Sequence, residues 1–140
     1  MNLLDVNVWL ALAFQRHRHH QAGSDWFSTV PENSCCFCRH TQMSFLRLAT
    51  TPQVMGEDAL TLNEAWLAYD ALRNDPRVVF ADEPNGIQSM WRTYTQHQTF
   101  SPKVWNDAYL AAFARAADFE LVTFDRGLGS YERLRCTVLP

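Results

Sequence analysis

Short apolar runs in this chain alternate with longer segments whose apolar side chains recur at helical spacing. The runs cover residues 2–5, 35–38, 77–81, 121–124 and 136–139. Runs of this length are typical of buried strands, and the segments between them are long enough for crossover helices. The alternation therefore predicts one α/β domain over residues 1–140, with a central, mostly parallel sheet of about five strands flanked by helices. The last run is expected at an edge of the sheet.

The helices are predicted from the apolar period and from residues that begin or end helices. They cover residues 7–14, 19–29, 41–50, 57–74 and 87–97, and a further helix begins near residue 105. Thr41 is predicted to cap the third of these helices and Thr51-Pro52 to end it. In the last helix Leu110 and Ala114 share one apolar stripe. Asp107 precedes them by three and seven residues, so it is expected in the first turn and along the buried side.

Composition places few limits on the binding partner. The net charge is −3, so no overall basic field indicates nucleic acid, although 11 of the 12 basic residues are arginine and Lys103 is the only lysine. No stretch has the length of a membrane span, and no basic residue precedes the apolar residues 3–14 as in a signal peptide. We therefore expect a cytoplasmic protein with no membrane partner, whose cysteines are reduced.

Three aspartates are expected at the carboxyl edge of the predicted sheet. Asp5 and Asp125 each follow a strand, and Asp107 begins a helix. Gln42 follows another strand and is expected at the same edge. Each acid alone has an ordinary explanation, as a helix cap, a partner of the helix dipole or a turn former. The functional interpretation depends on their lying together.

Three carboxylates in close proximity repel one another unless a cation or a proton joins them. Aspartate oxygens suit a hard divalent ion such as Mg²⁺ or Mn²⁺. Two such ions can orient a water molecule and stabilise the charge on a phosphodiester transition state. The pattern therefore favours metal-dependent phosphodiester chemistry, while it leaves open whether one ion or two would bind.

Three stretches of the sequence carry a family resemblance. These are L-L-D-V-N-V-W-L-A-L near the start, T-Q-M-S-F-L-R-L-A-T in the middle, and D-A-Y-L-A-A-F-A with L-V-T-F-D-R-G late in the chain. They resemble the PIN-domain family, and within it the toxin ribonucleases of VapBC-type toxin–antitoxin pairs. The resemblance implies a PIN-like three-layer sandwich, endonucleolytic cleavage of RNA with Mg²⁺ or Mn²⁺, a homodimer, and a small VapB-like antitoxin as partner in a type II pair.

The resemblance also implies roles for individual residues. Asp5, Asp107 and Asp125 match three acidic, metal-binding positions of the family. Thr123 and Asn7 match polar positions that support these acids.

Gln42 departs from the family pattern, because many members carry glutamate at the matching position. An amide oxygen can ligate a metal only weakly and brings no charge. The alternative function is therefore a PIN scaffold with weakened catalysis, which binds RNA or a protein partner without efficient cleavage.

Four arginines are expected to contact RNA. Arg16, Arg18, Arg39 and Arg126 are predicted to lie in loops near the acidic edge. The forked guanidinium group suits phosphate oxygens, so some of these residues are expected to hold the RNA backbone.

Overall fold

The computed structural model describes residues 1–140 and contains a five-stranded sheet in which every pairing is parallel. The strands are β1 Asn2–Leu4, β2 Cys35–Phe37, β3 Val78–Phe80, β4 Glu120–Thr123 and β5 Cys136–Val138. Each lies within one of the five predicted runs or begins one residue before it. The predicted α/β class and strand number are confirmed.

The strand order is β3-β2-β1-β4-β5. The central strand β1 pairs with both neighbours, so that Leu3 lies beside Cys36 on one side and Leu4 beside Val122 on the other. The strand order therefore reverses between β1 and β4, and the carboxyl ends of parallel strands at such a point form a crevice. Strand β5 lies at an edge, as predicted.

Seven helices connect and cover the strands. They are α1 Val6–Ala13, α2 His20–Phe27, α3 Arg39–Ala49, α4 Pro52–Met55, α5 Leu62–Arg73, α6 Ile87–Tyr94 and α7 Lys103–Ala116. None of them is both long and apolar enough to cross a membrane.

The sheet separates two apolar clusters, which makes the fold a three-layer structure. Successive residues of a strand point to opposite faces, so Leu4 joins the cluster beneath α1, α3 and α5, whereas Leu3 joins the cluster beneath α6 and α7. In the first cluster Trp9 stacks on Phe37 with ring centroids 3.8 Å apart. In the second, alanines of α7 bury their small side chains, which lets that helix pack close to the sheet.

Two predicted helix starts were wrong, because the residues that cap these helices do not lie at the predicted starts. Helix α3 begins at Arg39, with Cys38 as the cap instead of Thr41, since the backbone N–H of Cys38 donates to Thr41 Oγ1 at 3.0 Å. The helix predicted over 57–74 begins only at Leu62. Its capping box pairs Thr61 with Glu64, over distances of 3.0 and 3.2 Å.

Other helix boundaries also differ from the predictions. Pro52 ends α3 as expected, but it also begins the short α4, because proline suits the first turn of a helix. Helix α6 ends at Tyr94, three residues before the predicted end. Helix α7 begins at Lys103, so Asp107 lies in its second turn and not in its first. Asp107 therefore does not cap this helix.

Candidate active site

The crevice between β1 and β4 brings two of the predicted acids together. Asp5 is the residue after β1, and Asp125 lies two residues after β4. The third acid, Asp107, approaches from α7. Asp107 contacts the same lysine as Asp125, since Lys103 Nζ lies 3.6 Å from Asp107 Oδ2 and 3.1 Å from Asp125 Oδ2. Burial raises the pKa of Asp5, and charge repulsion from Asp107 and Asp125 adds to that rise.

The hydroxyl group of Thr123 organises this crevice. It donates to Asp5 Oδ2 at 2.7 Å and accepts from Asn7 Nδ2 at 3.2 Å and from the backbone N–H of Asp125 at 2.9 Å. Asn7 Oδ1 in turn accepts from the backbone N–H of Phe124 at 3.2 Å. Since Thr123 is fully buried, these bonds join the end of β4 to the start of α1 and hold Asp5 in place.

Asp5 combines two roles that the sequence left as alternatives. Its Oδ1 accepts from the backbone N–H of Val6 at 2.7 Å, so it caps α1. Its Oδ2 accepts the hydrogen bond from Thr123. Burial raises the pKa of Asp5, and the hydrogen bonds from Thr123 and Val6 oppose that rise. Helix capping therefore explains one oxygen of this carboxylate and leaves the other for the site.

Lys103 provides a positive charge that the sequence analysis did not assign to the site. Its Nζ lies 3.1 Å from Asp125 Oδ2 and 3.6 Å from Asp107 Oδ2. The hydrogen bond to Asp125 raises the pKa of Lys103. The position of Lys103, four residues before Asp107, was a signal in the sequence, since side chains at this spacing on a helix are neighbours.

The two acids that contact Lys103 differ in their proton affinity. The pKa of Asp125 is lowered, first by the backbone N–H of Gly127, which donates at 2.8 Å, and then by Lys103. Burial raises the pKa of Asp107, and Lys103 only partly opposes this. The proton affinities in the crevice are therefore unequal, with Asp5 and Asp107 more basic than usual.

Asp125 lies between two cavities. One has a volume of about 430 Å³ and is lined by Asp107 and Lys103 together with Tyr94, His97 and Tyr131. The other, of about 350 Å³, is lined by Asn7, His17, Arg18, His19, Phe124 and Arg126. The acidic site therefore opens on one side to a tyrosine-lined cavity and on the other to a cavity rich in histidine and arginine.

The four arginines predicted to contact RNA do not all lie beside the acidic site. Arg18 and Arg126 line the cavity beside Asp125. Arg16 instead pairs with Asp58 at 3.4 Å. Arg39 is the first residue of α3 and does not lie in a loop, contrary to the prediction, and its guanidinium lies 5.1 Å from the centroid of the Phe80 ring. Two of the four therefore lie beside the acidic site.

Gln42 is buried, and its amide oxygen already has a partner. Gln42 Oε1 accepts a hydrogen bond from Arg39 Nη1 at 2.5 Å. No hydrogen bond joins it to Asp5, Asp107 or Asp125. A role for Gln42 as a metal ligand stays a prediction.

The donor chemistry of the site fits a hard divalent cation, which is usually held by few carboxylates together with water. As the side chains lie, however, no three histidine, cysteine, aspartate or glutamate residues form a set that could hold a metal ion. The Lys103 ammonium instead lies between Asp107 and Asp125. The residues fit a metal by their chemistry, and the Lys103 side chain, which is 71% exposed, supplies the positive charge between two of them.

The chain belongs to the PIN domain family, which matches residues 3–134. It is 45% identical over 144 residues to ribonuclease VapC41 of Mycobacterium tuberculosis, covering 99% of each protein. It is 31% identical to ribonuclease VapC38 of the same species, covering 91% of this chain and 87% of that protein. The resemblance predicted from the sequence is confirmed.

Solved structures agree in fold. The chain matches VapC20 of Mycobacterium tuberculosis, a sarcin-ricin loop cleaving toxin, with a TM-score of 0.71 and 17% identity over 100% of both chains. It matches VapBC2 of Rickettsia felis bound to a promoter DNA fragment with a TM-score of 0.74 and 11% identity, covering 99% of this chain and 98% of that one. At these identities the likeness supports the PIN-like sandwich and no detail of the site.

Replacing Thr123 by valine should raise the pKa of Asp5 further, because the hydroxyl hydrogen bond favours the ionised carboxylate. As the pH falls, Asp5 would then take up its proton at a higher pH than in the parent, and in both proteins before Asp125. Carboxyl ¹³C NMR titration of the metal-free protein measures these values. Thr123→Ser keeps the hydroxyl and is the matched control. An unchanged Asp5 pKa in Thr123→Val would mean that the hydroxyl does not set the charge of this acid.

Proposed function

We propose that this protein is a metal-dependent endoribonuclease and the toxin of a type II toxin–antitoxin pair, formed by a single PIN-like domain over residues 1–140. The observation that supports the proposal is that Asp5 and Asp125 follow the two strands at the strand-order reversal of a PIN fold, with Asp107 joined to Asp125 through Lys103. The full-length similarity to ribonuclease VapC41 supports RNA as the substrate.

The three aspartates would hold Mg²⁺ or Mn²⁺. When bound, such an ion stabilises the negative charge that develops on a phosphodiester during hydrolysis. Thr123 fixes the orientation of Asp5, and Asn7 supports Thr123 through its amide group. Lys103 balances the charge of Asp107 and Asp125. We propose that its ammonium, which lies beside both carboxylates, also contacts a phosphate of the RNA.

Asp107→Asn and Asp125→Asn should each lower RNA cleavage roughly 100-fold or more, because losing a group that stabilises transition-state charge typically has an effect of this size. Both variants should lose growth toxicity and keep the parent fold by circular dichroism. Asp118→Asn is the control, since this aspartate is 92% exposed and its backbone φ of 57° suits asparagine equally. Cleavage by the parent should require Mg²⁺ or Mn²⁺ and stop with EDTA.

Undiminished toxicity in Asp107→Asn and Asp125→Asn would overturn the nuclease assignment. The alternative function, a PIN scaffold that binds RNA or protein without efficient cleavage, is favoured by Gln42, which brings no charge where many family members have glutamate. That alternative requires a parent that binds RNA with EDTA present and does not cleave it when the metal is added.

We also propose that Arg18 and Arg126 hold RNA phosphates, because both line the cavity next to Asp125. Arg18→Gln or Arg126→Gln should weaken RNA binding and reduce its log–log salt dependence by about one unit. Binding is measured by anisotropy in EDTA, so that no cleavage occurs. Arg16→Gln is the control, because Arg16 pairs with Asp58 instead. Equal slopes for all three variants and the parent would place the RNA path elsewhere.

A VapB-like antitoxin is the proposed protein partner. The fold match to VapBC2 of Rickettsia felis, a toxin–antitoxin complex bound to promoter DNA, supports this proposal. The product of the neighbouring open reading frame is the candidate, and its co-purification with this chain is the direct test. A cytoplasmic location stays a prediction.

A homodimer is also proposed, through the outer face of α5. Leu62 and Leu67 are 74% and 69% exposed and Trp66 is 49% exposed, although all three are large and apolar. Leu62 and Trp66 are neighbours on the helix surface, and exposed apolar surface of this kind commonly marks an interface. Light scattering should give twice the 16.2 kDa of one chain, and Trp66→Glu should return the mass to one chain. A parent that is already monomeric would contradict the proposal.

A further inference from the structure

A groove with two exposed aromatic rings runs along α6 and the segment that leads into α7. It consists of two adjoining cavities, each of about 440 Å³, that share Thr95 and Trp105. The first is also lined by Trp91 and Arg92, and the second by Phe100. We call these two cavities together the aromatic groove. None of the roles assigned above to the acidic site uses them.

The two rings in this groove are not needed for the core. The Trp105 side chain is 58% exposed, and Phe100 is fully exposed. Trp91 Nε1 donates to the backbone oxygen of Trp105 at 3.0 Å, and the two indole rings lie 6.0 Å apart at 80°. The backbone at Trp105 is therefore held by Trp91, while most of the Trp105 indole faces solvent.

The charge and polarity of the aromatic groove favour an anionic ligand with hydrogen-bonding groups. No aspartate or glutamate lines either cavity. The lining carries the positive charge of Arg92, although the net charge of the whole chain is −3. The amide groups of Gln88 and Gln96 line the same surface. Amides, an arginine and flat aromatic rings are the groups that proteins use to bind unstacked nucleotide bases.

The aromatic groove is continuous with the acidic site. Its second cavity and the cavity that contains Asp107 and Asp125 share His97 and Val104. Lys103, whose Nζ contacts both aspartates, lies between Val104 and the groove residue Pro102 in the chain. A strand of nucleic acid that enters the acidic site can therefore continue into the groove.

We propose that the aromatic groove binds an unpaired nucleotide of the RNA substrate, with its base stacked on Trp105. The proposal rests on the proposed ribonuclease function and deepens it, because it places a base-binding subsite next to the acidic site. Bases within a duplex are already stacked and paired, so they do not reach a ring outside the helix. A protein segment, such as one from an antitoxin, is the competing occupant, but the amide and arginine lining next to a phosphodiester site favours RNA.

The test measures RNA binding by the full chain in EDTA, with fluorescence anisotropy of a labelled single-stranded octamer. Trp105→Ala should weaken binding about tenfold, as expected for the loss of one stacked base. Trp105→Phe should retain most of the affinity, and the salt dependence should be unchanged in both variants because no charge is lost. A blunt RNA duplex should bind the parent and Trp105→Ala equally.

A set of octamers that each lack one base provides the matched control on the RNA side. At one position, removing the base should weaken binding to the parent but not to Trp105→Ala, which identifies the stacked nucleotide. Trp105→Ala must keep the circular dichroism and melting temperature of the parent. If it does not, Trp105→Leu, which keeps apolar bulk but has no flat ring, replaces it and should show the same loss of binding.

Each remaining outcome decides against the proposal. Unchanged octamer binding by Trp105→Ala would overturn it while leaving the nuclease function intact, provided that the parent cleaves RNA with Mg²⁺. Loss of antitoxin binding with unchanged RNA binding would make the groove a protein interface. A parent that neither binds nor cleaves RNA would overturn the proposed function itself, and the stacking subsite with it.

Discussion

The hydroxyl of Thr123, at the end of β4, donates a hydrogen bond to Asp5, the residue after β1. The two residues are 118 positions apart in the chain. A hydroxyl can donate one hydrogen bond and accept two, and Thr123 uses all three, to Asp5, Asn7 and the backbone of Asp125. Without the parallel pairing of β1 with β4 these groups would not meet. The acidic site therefore depends on one long-range strand pairing and on the one side chain that links the strand ends.

The charge of the site follows from where each carboxylate lies. Asp5 is the most deeply buried, so desolvation dominates and its pKa rises, whereas Asp125 at the rim receives a backbone N–H from Gly127 and its pKa falls. Lys103 contacts the two acids that come from α7 and from the end of β4. An ammonium at this place lowers the repulsion between the acids, which a divalent cation would do more strongly.

The surroundings of the acids suggest how a long ligand would lie. Arg18 and Arg126 are on one side of Asp125, and the tyrosine-lined cavity that leads to the aromatic groove is on the other. The positive groups on the first side suit phosphates, and the exposed rings on the second suit bases. Both the proposed function and the proposed stacking subsite use this arrangement, in which the acids lie between backbone contacts and a base contact.

The sequence by itself determined the α/β class and the number of strands, because apolar periodicity and strand-to-helix alternation are local properties, and the resemblance of its motifs indicated the family. It also indicated Asp5 and Asp125, since residues that follow parallel strands meet at one edge, and Asp107 near the start of a helix. The Cys38 cap of α3 and the bond from Arg39 to Gln42 each join residues only three positions apart, so both are local. The burial of Gln42 was decided only in the tertiary structure, because it depends on how the helices and strands pack. The same holds for Lys103. Its spacing from Asp107 is visible in the sequence, but its contact with Asp125 exists only because β4 ends beside the first turns of α7.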